Sequence, residues 1–392
     1  MSKELPKVIL KSGRERALQR FHLWVFSGAI QSISGKPDEG DLVEVFSASD
    51  QYLATGHIQS GSIMVRIVSF ERTDGGEDFW RRKIEQALAV RKTLGFVDNP
   101  RTNVFRLIHG EGDGMPGLIV DYYNGVVVLQ AHDTGMWRHR QLFADILSNL
   151  HGLKVHTVYD KSENTLNTAE KDGFLFGNAD ATEVTEYGHR FIIDFREGQK
   201  TGFFIDQREN RRLLANYAQG KKVANVFGYT GGFSVYAAAS GATQVDTVDA
   251  STKAIELARQ NMQLNGFSSD SHQYFTMDAF AFFQQQQNKY DAIVLDPPAF
   301  AKHRDALPNA LKAYRRINEA AIAAIAPGGL LFTFSCSQVV TPEDFRTAVF
   351  TAALATGRPC RILHRMTQPA DHPINMYHPE GEYLKGLVLQ FE

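Results

Sequence analysis

Hydrophobic positions change their spacing twice along this chain. In the first seventy residues, short apolar runs at 8–10, 42–46, 52–56 and 63–68 alternate with turn residues, which predicts a small β-barrel. The polar stretch Glu71-Arg72-Thr73-Asp74-Gly75-Gly76 then marks a boundary. A helical pattern at 79–94 follows, then extended runs at 104–108, 117–121 and 126–131, a helical run at 137–150 and an extended one at 155–159. Asn124-Gly125 between apolar runs is a hairpin signal. This middle stretch reads as α+β, and its size fits a domain of its own.

From about residue 221 the texture becomes βα alternation. Strands are predicted at 223–227, 244–249, 273–277, 291–296 and 329–335, separated by helices at 233–240, 252–265, 279–287, 307–325 and 342–354. Five strands alternating with helices imply an α/β, doubly wound and mostly parallel sheet. Further extended pieces at 361–364 and 386–391 could add to it. Antiparallel pairing there would make the sheet of the methyltransferase kind rather than that of a dehydrogenase.

Composition narrows the class. The 392 residues correspond to about 2.6 domains of roughly 150 residues. With 43% hydrophobic and 22% charged residues, 32 Gly and 13 Pro, disordered, collagenous and fibrous proteins are excluded. The longest apolar stretch, 320–332, is broken by Pro327-Gly328-Gly329, so neither a membrane span nor a membrane partner is expected. The amino terminus lacks a hydrophobic signal core, so the expected location is cytoplasmic. Cys336 and Cys360 are too few for a disulfide framework or a Cys-based zinc site, and no metal is expected.

Net charge is −2, which neither demands nor forbids a nucleic-acid partner. Locally, residues 1–20 carry Lys3, Lys7, Lys11, Arg14, Arg16 and Arg20 against Glu4 and Glu15. Residues 190–222 carry eight Lys/Arg against four Asp/Glu. Such clusters could track phosphates, or simply be solvated faces.

The candidate chemistry lies at the carboxyl ends of the predicted parallel strands, where ligands bind such sheets. Phe227-Gly228-Tyr229-Thr230-Gly231-Gly232 follows the first strand, and its glycines allow close backbone approach ahead of a helix amino terminus. It is not Gly-x-Gly-x-x-Gly, which weakens a dinucleotide reading. Asp249 ends the second strand, 21 residues after Gly228, where it can accept hydrogen bonds from ribose hydroxyls. Asp278, past the third strand, could bond an adenine edge. Each alone is common loop chemistry; their order on successive strands specifies a nucleoside-containing ligand.

Asp296-Pro297-Pro298-Ala299-Phe300 presents a carboxylate on a stiff turn suited to reading a planar base, although a plain strand-ending turn would look the same. Ser335-Cys336-Ser337 ends the fifth strand on that edge. A strand cysteine is more often a small buried hydrophobe, but this position suits a thiolate nucleophile, whereas Cys360 keeps the structural reading. A free thiol of pKa about 8.5 is only slightly ionised at neutral pH, so a neighbouring base or favourable field must help it. Residues 194–212, which include Gln207 and Arg208, could line a cofactor pocket or a nucleic-acid groove, or form a charged lead-in helix.

A resemblance now emerges. Gln199-Lys200-Thr201-Gly202-Phe203-Phe204-Ile205-Asp206-Gln207-Arg208, Tyr229-Thr230-Gly231-Gly232-Phe233, Asp296-Pro297-Pro298-Ala299-Phe300 and Ser335-Cys336-Ser337 resemble the RlmI-type family. So do Gly114-Met115-Pro116-Gly117-Leu118-Ile119-Val120-Asp121, Pro369-Ala370-Asp371-His372-Pro373 and Glu382-Tyr383-Leu384-Lys385-Gly386. These enzymes are S-adenosylmethionine-dependent cytosine-C5 methyltransferases of bacterial 23S ribosomal RNA, and the likeness covers essentially the whole chain. It implies an RNA-binding PUA β-barrel at 1–72, a central α+β domain at 73–188 and a class I methyltransferase domain, with a Rossmann-like seven-stranded sheet, at 189–392.

S-adenosyl-L-methionine would then meet Phe227, Gly228, Tyr229, Thr230, Gly231, Gly232, Asp249, Asp278, Gln207 and Arg208. Cys336 and Asp296 would be catalytic, and Pro297, Pro298 and Phe300 would meet the flipped base. The family usually carries Lys where Ala299 stands, a departure that removes a phosphate or base contact. The implied partner is 23S ribosomal RNA, free or in an assembling large subunit, with a homodimer left open. Two rivals remain: an RNA methyltransferase acting on a purine nitrogen without a cysteine, and a non-catalytic ribosome-assembly factor that binds RNA. A small-molecule methyltransferase leaves the first 190 residues unexplained.

Overall fold

Strands whose residues are apolar on both faces need cover on both faces, and the chain supplies it in sequence order. The computed structural model describes residues 4–166, 170–267, 270–286 and 289–392; Lys3 of the basic cluster and Gln287 of the predicted helix end lie outside them. The chain divides into two compact units. One comprises Met1–Thr185, Ile193–Phe203 and Ala370–Gly381, the other Glu186–Ile192, Phe204–Pro369 and Glu382–Glu392.

The first unit holds two larger sheets. Six strands, in spatial order Trp24–Phe26, Ile63–Ser69, Tyr52–Ile58, Leu42–Phe46, Lys7–Leu10 and Ile30–Ser34, form the amino-terminal sheet. They enclose Val8, Leu10, Val25, Val43, Val45, Ala54, Val65 and Ile67. Trp24–Phe26 and Ile30–Ser34 were not legible as strands: the first is three residues long, and the second is an edge strand whose residues are mostly exposed.

The second sheet runs Gly173–Phe176, Thr157–Asp160, Val126–Ala131, Leu118–Tyr123 and Val104–His109, with helices Glu77–Thr93 and Arg140–Ser148 packed around Trp80, Leu107, Leu129 and Phe143. The Asn124-Gly125 hairpin forms as expected, with φ of 48° and 96°. The helix expected at 137–150 is two, Thr134–Arg138 and Arg140–Ser148, joined at His139.

Buried ion pairs tie this unit together. Arg106 grips Asp121 through two bonds of 2.8 Å. Arg91 donates to Asp113 and to the Asp371 carbonyl, each at 2.8 Å, and the Arg106 amide donates to the Asp371 carboxylate at 3.0 Å. Asp371 thereby anchors the returning segment Ala370–Gly381, which gives that residue of the resemblance a structural role.

The second unit is built on seven strands: β1 Lys222–Val226, β2 Gln244–Asp249, β3 His272–Thr276, β4 Tyr290–Leu295, β5 Ile325–Ser335, β6 Cys360–Met366 and β7 Lys385–Phe391. Their order is β3-β2-β1-β4-β5-β7-β6, parallel except for β7, which runs antiparallel to both β5 and β6. Helices α1 Arg208–Ala215, α2 Gly232–Ala239, α3 Thr252–Leu264, α4 Ala279–Gln284, α5 Leu307–Ala324 and α6 Pro342–Thr356 accompany them. The βα alternation was therefore read correctly, and the extended pieces at 361–364 and 386–391 do join the sheet, the last strand running antiparallel. β5 begins four residues before the predicted start, because a register shift opposite β4 absorbs Pro327-Gly328-Gly329. Among the described residues, no helix is long and apolar enough to cross a membrane.

Candidate active site

β1 runs out into a loop held in an uncommon conformation. Phe227, Tyr229 and Gly231 all have positive φ, 62°, 43° and 73°, and the loop is pinned by bonds from the Gly228 amide to the Val248 carbonyl (2.9 Å) and from the Gly231 amide to the Gly228 carbonyl (2.8 Å). Non-glycine residues in this region cost energy and persist only where their surroundings hold them, often at ligand sites. Here Asp249 at the end of β2 does the holding: its carboxylate accepts the Tyr229 amide at 3.0 Å and the Ser251 amide at 2.9 Å. From α3, the Asn261 side-chain amide donates to the Thr230 carbonyl at 2.9 Å. A Cβ on Gly228 would fall 2.6 Å from Thr247, and one on Gly231 2.9 Å from Ala258. The loop thus presses close to β2 and α3.

The amino terminus of α2, entered through Gly231, has no side-chain cap, so its first amides face whatever lies in the loop. The donor set fits the adenosyl cofactor: backbone amides at a helix start, a glycine cradle, and an acceptor at the end of β2 with lone pairs to spare for ribose hydroxyls. Asp278 sits beyond β3, where one carboxylate oxygen caps α4 by accepting the Phe280 amide at 2.8 Å and the Ala281 amide at 3.3 Å.

Along the same edge, the catalytic candidates are braced from several directions. Gln207 donates to Asp296 at 3.0 Å, and Asn210 in turn donates to the Gln207 carbonyl oxygen at 2.6 Å. That second bond fixes which end of the Gln207 amide meets the carboxylate. Gln207, placed by the sequence among cofactor ligands, meets Asp296 in the structure. Both serines beside Cys336 are engaged: Ser335 donates to the Tyr314 hydroxyl at 2.9 Å, and Ser337 donates to the Ala301 carbonyl at 2.5 Å. The second bond clamps the cysteine turn onto the loop that begins at Asp296. Phe300 packs against the Tyr314 ring at 4.7 Å. Burial, followed by the charges of Cys336 and Asp296, pushes the Tyr314 hydroxyl up to about 12, so this neutral phenol sits within the field of both.

Lys385, at the start of β7, is buried and donates to the Ser337 carbonyl at 2.6 Å and the Val340 carbonyl at 2.7 Å. Burial pushes its ammonium down to about 8, while the negative charges of Cys336, Glu382 and Asp344 act the other way. Cys360 lies on the edge strand β6, half-buried, its thiol pushed up by burial.

The basic stretch 190–222 requires correction. Arg208 and Arg211 are buried, and Arg211 forms a two-pronged pair with buried Glu186 at 2.8 and 2.7 Å and donates to the Phe204 carbonyl at 2.9 Å. That cluster is therefore no continuous phosphate-facing surface. Tyr314 and Lys385 were missed as site residues. Tyr314 reads as a core aromatic on an amphipathic helix, and Lys385 stood in a quoted motif without a role.

A glycine loop and acidic strand end on a parallel sheet closed by an antiparallel last strand define a class I S-adenosylmethionine-dependent methyltransferase. Comparisons agree. A family model described as S-adenosylmethionine-dependent methyltransferase matches residues 106–375, and one described as a PUA-like domain matches residues 8–70. The ribosomal RNA large subunit methyltransferase I of Aeromonas hydrophila subsp. hydrophila is 37% identical, over 98% of each chain. That of Alteromonas mediterranea is 38% identical, again over 98% of each. A crystal structure of a methyltransferase complexed with S-adenosylhomocysteine shares the fold, with a TM-score of 0.85 at 22% identity over 98% of this chain and 99% of that one. The chain belongs to the family of S-adenosylmethionine-dependent methyltransferases that includes these ribosomal RNA large subunit methyltransferases I.

Proposed function

We propose that this chain methylates carbon 5 of a cytosine in bacterial 23S ribosomal RNA, with Cys336 as nucleophile. The observation that carries the reading is the clamp from Ser337 to the Ala301 carbonyl, which holds the cysteine turn against the Asp296 loop on the cofactor edge of the sheet. The ribosomal substrate is supported by the names of the relatives and by the PUA-like module, where Lys11, Arg14, Arg16 and Arg20 are exposed. In this reading residues 1–72 engage RNA, 73–188 form the central module and 189–392 carry the chemistry. The protein works in the cytoplasm, on free or assembling large-subunit RNA.

Bound S-adenosylmethionine supplies an electrophilic sulfonium methyl, cradled by residues 227–232 with Asp249 and the second oxygen of Asp278 on its ribose and base. Carbon 5 of cytosine is a poor nucleophile. The Cys336 thiolate forms a bond to carbon 6, and the displaced π pair makes carbon 5 enamine-like, so that the new carbon–carbon bond forms there as the methyl's bond to sulfur breaks and its pair stays on the departing neutral thioether. Asp296, oriented by Gln207, accepts from the N4 amine and favours protonation at N3, offsetting the charge that develops on the ring. A base, water in this reading, removes the carbon-5 proton; the C5–C6 double bond reforms and the thiolate leaves. Pro297, Pro298 and Phe300 flank the flipped base.

Cys336→Ala tests the mechanism: turnover on ribosomal RNA should be lost while calorimetric affinity for S-adenosylmethionine stays within about threefold of the parent. Undiminished turnover would overturn the cysteine mechanism and favour a purine-nitrogen enzyme. Mass spectrometry of ribosomal RNA from cells lacking the protein should show one missing 5-methylcytosine.

A further inference from the structure

We propose that Lys385 is the positioning residue for Cys336: its ammonium pins the turn that carries the nucleophile and supplies the positive charge that lets the thiol ionise. The proposal rests on the reading of Cys336 as nucleophile. It answers a need visible in the chemistry, since an isolated thiol is mostly protonated at neutral pH and has to be helped by a nearby cation, a base or a helix terminus.

The geometry places the ammonium directly past the cysteine. Lys385 donates to the carbonyls of Ser337, the next residue, and of Val340, at the close of the same turn. Two of its three N–H bonds are thereby spent on the backbone of the cysteine turn. With the Ser337 hydroxyl on the Ala301 carbonyl, the turn is held from both sides, by β7 and by the Asp296 loop.

A clasp alone does not require a charge here. Burying a cation is costly unless an anion accompanies it, and a neutral donor would serve the two carbonyls more cheaply. Lys385 is nevertheless 6% exposed and makes no ion pair with a carboxylate among the described residues. Of the charges that favour its protonated form, Cys336 acts most strongly, ahead of Glu382 and Asp344. That attraction is reciprocal: a thiolate that stabilises the ammonium is stabilised by it. Cys336 and Asp296 both act on the neutral phenol of Tyr314, so Asp296 belongs to the same cluster, where a negative charge opposes thiolate formation. The Lys385 ammonium acts against that charge.

The test is the pH dependence of Cys336 alkylation by iodoacetamide in the full-length chain, read by intact mass in a Cys360→Ala background. The parent should alkylate with a midpoint below the free-thiol value of about 8.5. Lys385→Met should raise that midpoint by about one pH unit, which makes alkylation at pH 7 about tenfold slower. An unshifted profile in a variant that still binds S-adenosylmethionine overturns the proposal, because a purely structural clasp would leave the profile in place. Should Lys385→Met not fold, the parent decides: a midpoint at or above about 8.5 overturns it too. Alkylation needs no RNA, so this result is independent of the Cys336→Ala turnover assay, and failure of one reading is distinguishable from failure of the other.

Discussion

Replacing Asp249 by alanine removes the side chain that holds the cofactor loop in its positive-φ conformation. Two backbone donors lose their acceptor, the Tyr229 amide at 3.0 Å and the Ser251 amide at 2.9 Å. Hydrogen bonds to a charged partner contribute about 1.5–3 kcal/mol each. Only the Tyr229 bond bears directly on the ligand loop, since Ser251 lies beyond it at the start of α3. Tyr229 sits at φ 43°, a conformation that costs about 1–3 kcal/mol when nothing enforces it. Without Asp249 the loop relaxes toward ordinary backbone angles, and binding must restore the strained form.

Adding the lost ribose acceptor, about 1.5–3 kcal/mol, to that strain gives about 2.5–6 kcal/mol, which corresponds to roughly 70-fold or more weaker binding of S-adenosylmethionine. Calorimetric titration of the full chain measures it directly. Asp249→Asn keeps one acceptor oxygen and should fall between parent and alanine variant. The reasoning fails if Asp249→Ala binds within about threefold of the parent, for then neither the loop conformation nor the ribose depends on this carboxylate.

Two further expectations concern stability. Glu186→Ala strips the partner from buried Arg211 and from the Tyr236 hydroxyl, which donates to the same carboxylate at 3.0 Å; an uncompensated buried charge costs about 3–5 kcal/mol. At about 2–4 °C per kcal/mol the melting temperature should drop by roughly 10 °C, and a change under about 2 °C in calorimetry would mean that Arg211 finds another partner. His109 is held well below the ordinary imidazole value by burial, then by the positive surroundings of His372, Arg106 and Arg91. Below pH 6.5 the unfolded chain takes up a proton that the folded chain refuses, so stability falls as pH falls, by up to about 1.4 kcal/mol per pH unit. Urea midpoints measured from pH 7 to 5 should decline, with a shallower slope for His109→Gln; identical slopes would remove His109 from the explanation.

Much of the catalytic unit was legible because its determinants are local. Apolar runs buried on both faces announce parallel strands, and turn glycines beside them announce ligand loops, so β2 was placed to the residue and the loop at 227–232 lay where expected. The cysteine turn and the Asp-Pro-Pro loop were candidates by their place at the carboxyl edge, and the resemblance supplied their roles. Edge strands were harder: Ile30–Ser34 pairs on one side only and carries no clear apolar face.

What the sequence determined by itself was therefore the order of elements and which loops meet at one edge of the sheet, since both follow from short-range pattern and chain connectivity. Tertiary structure alone decided how those loops are braced. Gln207 reaches Asp296 across 89 residues and Lys385 reaches Ser337 across 48, and no periodicity encodes such pairings. It also decided the sense of charge. Arg208 and Arg211 look like a surface cluster in the chain and are interior in the fold, because burial depends on what packs over a residue, and that cover comes from distant segments such as the one carrying Glu186.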